Sequence, residues 1–160
     1  MTAAGAGPDG PAGDDVTSVP GTTRQVTRGA ARLFEDLGCA VVTEFALANG
    51  RRADVAALSG DGRITLVEVK SGVPDFRADG KWPEYVDFCD AFYFAVAPGF
   101  PRDLLPEGDV CGVIVADAWE AAILRPAPER RLPPARRRAV TVRIARVAAQ
   151  RLRALTDPRI

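Results

Sequence analysis

The chain contains no histidine in its 160 residues. This absence excludes Ser-His-Asp and Cys-His nucleophilic chemistry, histidine general bases and histidine-rich metal sites. A bound metal ion would therefore be held by oxygen ligands, which favours Mg²⁺ or Mn²⁺ over zinc.

Cysteine is also scarce. Cys39, Cys89 and Cys111 are odd in number, far apart and in no CxxC pair, which indicates reduced residues rather than a disulfide framework or a zinc site. The sequence has no apolar run of membrane-spanning length, and no basic region followed by an apolar one at its start. We therefore expect a cytoplasmic protein without a membrane partner.

Lysine occurs only at Lys70 and Lys81, against nineteen arginines. Heavy use of arginine, alanine, glycine and proline indicates a bias that replaces lysine wherever either cation suffices. A lysine kept against this bias can supply a compact charge with a tunable pKa, whereas a guanidinium stays protonated. Chance retention is the alternative.

Charge is segregated along the chain although the net charge is zero. Residues 1–20 hold three acids and no bases, residues 21–124 hold ten bases and sixteen acids, and residues 125–160 hold eleven arginines and two acids. The length and the 47% hydrophobic content support one globular domain. The basic C-terminal segment indicates a polyanionic partner.

The first half of the chain predicts a tail, a helix and three strands. Residues 1–21 are rich in Gly, Ala, Pro, Thr and Asp, which predicts a disordered tail. A capping pattern at Thr22 and helical spacing up to Gly38 predict the helix. The strands are expected at about 40–47, 52–59 and 63–70. The turn signals between them, Asn49-Gly50 and Asp61-Gly62, predict an antiparallel meander.

The second half of the chain predicts a helical crossover, three further strands and a C-terminal helix. A partly helical segment with Pro83 in a first turn leads to a strand at 91–96, which should pair parallel to an earlier strand. Further strands are expected at 111–116 and 121–124, and a linker and an amphipathic helix at about 125–134 and 135–155. The predicted fold is a single α/β domain with a mixed central sheet flanked by helices. Its core covers residues 22–124, and the Arg-rich linker and helix at 125–160 pack on that core.

The most informative residues are Asp54 and the triplet Glu68-Val69-Lys70. Glu68 and Lys70 project to one face because side chains two apart on a strand share a face. Ionisable groups on a buried strand are costly unless they pair with each other or with a metal. The meander places Asp54 and Glu68 on neighbouring strands.

Two carboxylates on adjacent strands suit Mg²⁺, which binds through one or two carboxylates plus waters and phosphate oxygens. Such an ion polarises a phosphate and lowers the pKa of a bound water. Lys70 could then orient or deprotonate that water and offset charge on phosphorus. The alternative is an ordinary ion pair between Asp54 and Lys70, with Glu68 facing solvent.

Longer motifs surround these residues: Gly50-Arg51-Arg52-Ala53-Asp54, Glu68-Val69-Lys70-Ser71, Asp75-Phe76, Asp79-x-Lys81-Trp82-Pro83-x-Tyr85 and Cys89-Asp90-x-Phe92-Tyr93-Phe94-Ala95-Val96. The chain resembles the PD-(D/E)xK nuclease superfamily and, more narrowly, the MmcB-like family of bacterial DNA repair proteins over about residues 24–157. The resemblance implies a restriction-endonuclease-like αβββαβ core, metal-dependent action on DNA and a role in the damage response. Ala53 stands where the superfamily name has proline.

The resemblance and the charge pattern add weaker candidates. Glu35 matches a metal-coordinating or water-orienting acid of related nucleases, or is an exposed helix acid. Glu44 could point toward the site, or pair with an arginine. Asp75 and Asp79 could support a second metal, or cap a helix. The candidate DNA-binding residues are Arg51, Arg52, Lys81, Trp82, Arg136, Arg143 and Arg146, for which core packing, neutralisation of acids or a solvated face are the alternatives.

We therefore expect a Mg²⁺- or Mn²⁺-dependent deoxyribonuclease that acts on damaged or structured DNA, with Asp54 and Glu68 as metal ligands and Lys70 as the water-orienting group. DNA is the expected partner, and no organic cofactor is expected. Two alternatives stay open: a DNA-binding repair factor that cleaves weakly or not at all, and a protein-interaction module. A homodimer or a repair-protein partner is also compatible with the sequence.

Overall fold

The computed structural model describes residues 20–73 and 83–159, which are organised around a six-stranded mixed sheet. The strands lie side by side in chain order. Their bounds are β1 Ala40–Ala46, β2 Arg52–Leu58, β3 Ile64–Lys70, β4 Ala91–Val96, β5 Gly112–Ala116 and β6 Ala121–Arg125. The first three strands form an antiparallel meander, β3, β4 and β5 run parallel, and β6 returns antiparallel. The predicted mixed sheet is confirmed.

Two tight turns produce the meander. Gly50 and Gly62 have φ angles of 84° and 87°, a left-handed conformation that glycine adopts without steric cost. The side chains of Asn49 and Asp61 each accept the backbone N–H two residues further on, at 3.0 and 3.2 Å. The Asn-Gly and Asp-Gly signals therefore predicted both chain reversals correctly.

Helices flank the sheet on both faces. Their bounds are α1 Pro20–Asp36, α2 Pro83–Val86 and α3 Pro134–Thr156, with a single 3₁₀ turn at Arg102–Leu104. The tail predicted for residues 1–21 lies outside the described residues except for Pro20 and Gly21, which begin α1. Within the described part of the chain, no helix has the length and apolar character needed to cross a membrane.

The core has one layer on each face of the sheet. On one face, Val26, Ala30 and Phe34 of α1 pack with β-strand residues such as Val67. On the other face, Val140 and Ile144 of α3 pack with β-strand residues such as Leu66. All seven residues of β3 are buried. Because β3 lies between both layers, the charged end of this strand lies inside the protein.

Only the first part of the predicted apolar face of α3 is covered. Val140 and Ile144 are buried and Val147 is partly buried, whereas Leu152 and Leu155 are 62% and 82% exposed. The contacts of α3 with the sheet are concentrated on β1, an edge strand. The helix therefore packs on the core through its first half.

Arginines of α3 bond to the backbone of this edge strand. Arg143 donates to the carbonyl of Ala46 at 2.7 Å, and Arg151 donates to the carbonyls of Thr43 and Glu44 at 2.5 and 2.9 Å. An edge strand otherwise offers its carbonyls to other chains. These arginine hydrogen bonds stabilise the packing of α3 against β1.

A buried carboxylate, Asp90, ties α3 to the sheet. It accepts the backbone N–H groups of Ile64 and Leu132 at 2.8 and 2.9 Å. The guanidinium of Arg137 donates to both of its oxygens, at 2.8 and 2.5 Å. One side chain thus connects the start of β3, the linker and α3.

Candidate active site

The candidate site lies where β2 and β3 separate. Their ladder ends at the pair Val55–Val67, beyond which β2 stays paired with β1 and β3 with β4. Oδ2 of Asp54 accepts the N–H of Val69 at 2.7 Å across this opening. The carboxylate of Asp54 is therefore held between two strands that no longer bond through their backbones.

Glu68 and Lys70 meet Asp54 at this opening. Glu68 is 8% exposed and Lys70 is 3% exposed, and Nζ of Lys70 lies 3.4 Å from Oε1 of Glu68. Both the Glu68 side chain and the charge of Lys70 act on the pKa of Asp54. The structure brings together the three residues that the meander predicted to be neighbours. The alternative with Glu68 facing solvent is wrong, because β3 is buried from both sides.

The ionisation of Asp54 reflects this environment. Burial raises the pKa of the Asp54 carboxyl above its usual range. The N–H of Val69, the cations Lys70 and Arg52, and the Glu68 side chain each pull the pKa down, but burial outweighs them. The Asp54 carboxyl therefore retains its proton to a higher pH than an isolated carboxyl would.

The donor set fits a magnesium or manganese ion. Asp54 and Glu68 supply hard oxygen ligands on neighbouring strands, and Asp54 must lose its proton before it can bind a cation. Within residues 20–73 and 83–159, no group of three Asp, Glu or Cys side chains is arranged to hold a metal. Two carboxylates suffice for Mg²⁺ when waters and phosphate oxygens complete its coordination.

An open cavity of about 660 Å³ reaches Asp54. Seven residues of α1 line it together with Thr43, Glu44 and Asp54. Glu35 lies on its wall and is exposed. The predicted third acid is therefore on the same cavity as Asp54, without joining the pair as a third ligand.

Glu44 is the second predicted acid on this wall, and its backbone is strained. Its φ of 49° is in the left-handed region that a residue with a Cβ rarely adopts. The flanking pairs Thr43–Val55 and Phe45–Ala53 place Glu44 opposite Asp54. Strain of this kind clusters at functional sites.

A row of arginines on α1 was not predicted. Arg24, Arg28 and Arg32 line the same cavity as Asp54. They are spaced four residues apart, which places them on one face of a helix. This spacing is visible in the sequence, and it is the signal that could have identified them.

The predicted DNA-binding residues are dispersed. Arg51 pairs with Glu84 of α2 at 2.5 Å, and Arg52 is exposed close enough to Asp54 for its charge to lower the pKa of that carboxyl. Lys81 and Trp82 lie outside the described residues, as do Asp75 and Asp79.

The predicted arginines of α3 do not line the Asp54 cavity. The guanidinium carbon of Arg136 lies 4.5 Å from the ring centre of Phe88. Arg136 and Arg143 line a separate, mostly apolar cavity of about 370 Å³. Arg146 is exposed on the same helix. The arginines that line the Asp54 cavity therefore belong to α1 and not to α3.

Comparison with known proteins identifies the family. A family profile described as DNA repair protein MmcB-like matches residues 12–159. The chain belongs to the MmcB-like family. This confirms the resemblance to the MmcB-like family and supports a role for this MmcB-like protein in DNA repair.

A solved structure shares the MmcB-like protein's fold. It is described as a protein of unknown function from Silicibacter pomeroyi, and it matches with a TM-score of 0.81 and 43% sequence identity. The match covers 86% of this chain and 92% of that chain. No curated protein matches the chain significantly.

Proposed function

We propose that this MmcB-like protein is a metal-dependent deoxyribonuclease of the PD-(D/E)xK type that hydrolyses phosphodiester bonds in damaged or structured DNA. The observation that carries the proposal is the meeting of Asp54, Glu68 and Lys70 where β2 and β3 separate. Glu68 and Lys70 are buried at the end of the mostly apolar strand β3, and Asp54, which is partly buried, lies beside them on β2. Burying these charged groups costs desolvation free energy, which folding by itself does not require.

Each residue of the cluster has a role in this scheme. Asp54 and Glu68 would hold Mg²⁺ or Mn²⁺, which supplies Lewis-acid polarisation of the phosphate and a more acidic bound water when present. Lys70 lies beside Glu68, where its ammonium orients the attacking water and offsets the charge that develops on the phosphate oxygens. Arg24, Arg28 and Arg32 on the cavity wall contact neighbouring phosphates.

The experiment is a cleavage assay with the full chain. Duplex, single-stranded, branched, abasic and crosslinked DNA are incubated with Mg²⁺, Mn²⁺ or EDTA. We expect cleavage of at least one substrate that requires metal and is lost in both Asp54→Asn and Glu68→Gln. Arg138→Gln is the matched control, because Arg138 is exposed on α3 and lines neither cavity described above. Cleavage that persists in EDTA or in Asp54→Asn contradicts the proposal.

A DNA-binding repair factor without nuclease activity is the second candidate. The observation that favours it is the lack of a third acid at the Asp54–Glu68 pair among the described residues. It predicts salt-sensitive binding to DNA in every metal condition and no cleavage of any of the five substrates.

A further inference from the structure

Trp119 is 70% exposed although tryptophan is usually well buried. It lies in the turn between β5 and β6, and this turn is held by its own hydrogen bonds. Oδ1 of Asp117 accepts the N–H groups of Trp119 and Glu120 at 2.7 and 2.8 Å. The indole is therefore presented to solvent from a fixed turn.

The turn is in close contact with α1 through Gly29. A Cβ atom at Gly29 would lie 2.1 Å from the carbonyl oxygen of Asp117 and 3.2 Å from that of Glu120. Only glycine allows the helix to approach the turn this closely. This approach fixes Trp119 beside the arginine row of α1.

The arginines that contact Trp119 are those on the wall of the Asp54 cavity. The guanidinium carbons of Arg28 and Arg32 lie 5.2 and 5.9 Å from the indole ring centre, and both residues line the cavity with Asp54. Arg24 extends the row, which is roughly 12 Å long at the rise of an α-helix. An exposed aromatic ring is thus joined to the candidate active site by a continuous row of cations.

The ligand that this surface fits is a polyanion that also offers flat apolar rings. Single-stranded nucleic acid has both features, because its phosphates pair with arginines and its bases are free to stack. Bases inside a duplex are already stacked on each other. An acidic peptide would satisfy the arginines but would leave the indole exposed.

We propose that Trp119 stacks on an unpaired base of the DNA strand whose phosphates follow Arg24, Arg28 and Arg32 toward Asp54. The preferred substrate class is therefore DNA with an unpaired segment beside the scissile bond, such as a gap, a flap or a single-stranded end. This inference rests on the proposed function, since it names the substrate of the same site.

Binding in EDTA tests the inference without cleavage. Fluorescence anisotropy compares single-stranded, gapped and fully duplex oligonucleotides on the full chain and on three variants, Trp119→Ala, Trp119→Phe and Arg138→Gln. Base stacking on an aromatic side chain predicts that Trp119→Ala weakens single-strand and gap binding by about tenfold to a hundredfold. Duplex binding should change by less than about twofold, Trp119→Phe should retain most of the affinity, and Arg138→Gln should resemble the parent protein. Thermal melting of each variant confirms that it is folded.

Two results overturn the inference. One is an equal loss of single-strand and duplex affinity in Trp119→Ala, which gives the ring no role in reading unpaired bases. The other is unchanged binding of all three DNAs, which would make the Trp119 surface a contact for a protein. Failure of the proposed function is distinguishable: selective loss of single-strand binding without cleavage by the parent protein would retain the inference and reject the nuclease. Metal-dependent cleavage of gapped DNA that is equal in Trp119→Ala and in the parent protein would support the nuclease and reject the role of Trp119.

Discussion

The carboxylate of Asp54 accepts the N–H of Val69 across the opening between β2 and β3, at 2.7 Å. This bond satisfies a backbone donor that a continuing ladder would have satisfied, so the strands can part without leaving a buried N–H group unbonded. It also fixes Asp54 beside Glu68, the residue that precedes Val69 in the chain. The geometry that opens the sheet is therefore the geometry that pairs the two carboxylates.

Asp54→Asn should stabilise the protein at neutral pH. Because the pKa of Asp54 is raised in the folded protein, the stability that its neutral form contributes is present below the unfolded pKa of about 3.9 and is lost as pH rises through the folded pKa. Asparagine stays neutral and can still accept the N–H of Val69. We expect a gain on the order of 1 kcal/mol in the free energy of unfolding in urea at pH 7. Asp87→Asn, at an exposed acid, is the control, and a destabilised Asp54→Asn would contradict the raised pKa.

Metal binding should depend on pH. Mg²⁺ must displace the proton of Asp54, whose pKa is raised, so its affinity should rise with pH through the range in which Asp54 ionises and then become constant. The increase in melting temperature at saturating Mg²⁺ measures this in buffers from acid to neutral pH. We expect the increase to vanish in Glu68→Gln. A Mg²⁺ effect that is equal at all pH values would show that the ion binds elsewhere.

The Asp90–Arg137 pair should account for part of the acid sensitivity of the fold. Burial alone would raise the pKa of Asp90, but the hydrogen bonds from Arg137, Ile64 and Leu132 outweigh it and hold the pKa below its usual range. Stability is then present above the unfolded pKa of about 3.9 and is lost as pH falls through the lower folded pKa. Removing one partner of such a pair costs about 3 kcal/mol.

Two variants measure this effect in urea unfolding as a function of pH. Arg137→Leu should destabilise the protein strongly at neutral pH and reduce the loss of stability on acidification. Arg153→Gln breaks the exposed pair with Asp157 and should change the free energy of unfolding by less than about 1 kcal/mol. Equal effects of the two variants would contradict a role for Asp90 in holding α3.

Gly29→Ala should destabilise the protein although alanine favours helices. In an unhindered helix this change stabilises by about 1 kcal/mol. At Gly29 the new methyl group would meet the carbonyl oxygen of Asp117 at 2.1 Å, and relieving that clash costs about 1 to 3 kcal/mol. Chemical unfolding should show a net loss, with Gln25→Ala on the exposed side of α1 as the control. A more stable Gly29→Ala would mean that the turn moves freely away from the helix.

The sequence predicted the features that depend on local pattern. The Asn49-Gly50 and Asp61-Gly62 turns, the strand periods and the meander followed from short-range chemistry, and they placed Asp54 beside Glu68. The missed features depend on contacts between distant segments. Asp90 meets Arg137 across forty-seven positions, and Trp119 meets α1 only because Gly29 allows a close approach. The exposed end of α3 was missed because helical periodicity does not reveal where the sheet beneath a helix ends.

Lys70 should be required as lysine and not only as a positive charge. Its side chain is 3% exposed and its ammonium nitrogen lies 3.4 Å from Oε1 of Glu68, so the larger guanidinium of Lys70→Arg cannot occupy the same space without moving its neighbours. Lys70→Arg keeps the charge that lowers the pKa of Asp54, whereas Lys70→Met removes it. We therefore expect the pH midpoint of Mg²⁺ binding to stay near the parent value in Lys70→Arg and to move to higher pH in Lys70→Met.

Both variants should lose cleavage by about a hundredfold or more, because the ammonium no longer meets the attacking water. Retained cleavage in Lys70→Arg would mean that Lys70 contributes charge alone, and an unmoved midpoint in Lys70→Met would mean that its charge does not reach the carboxylate pair.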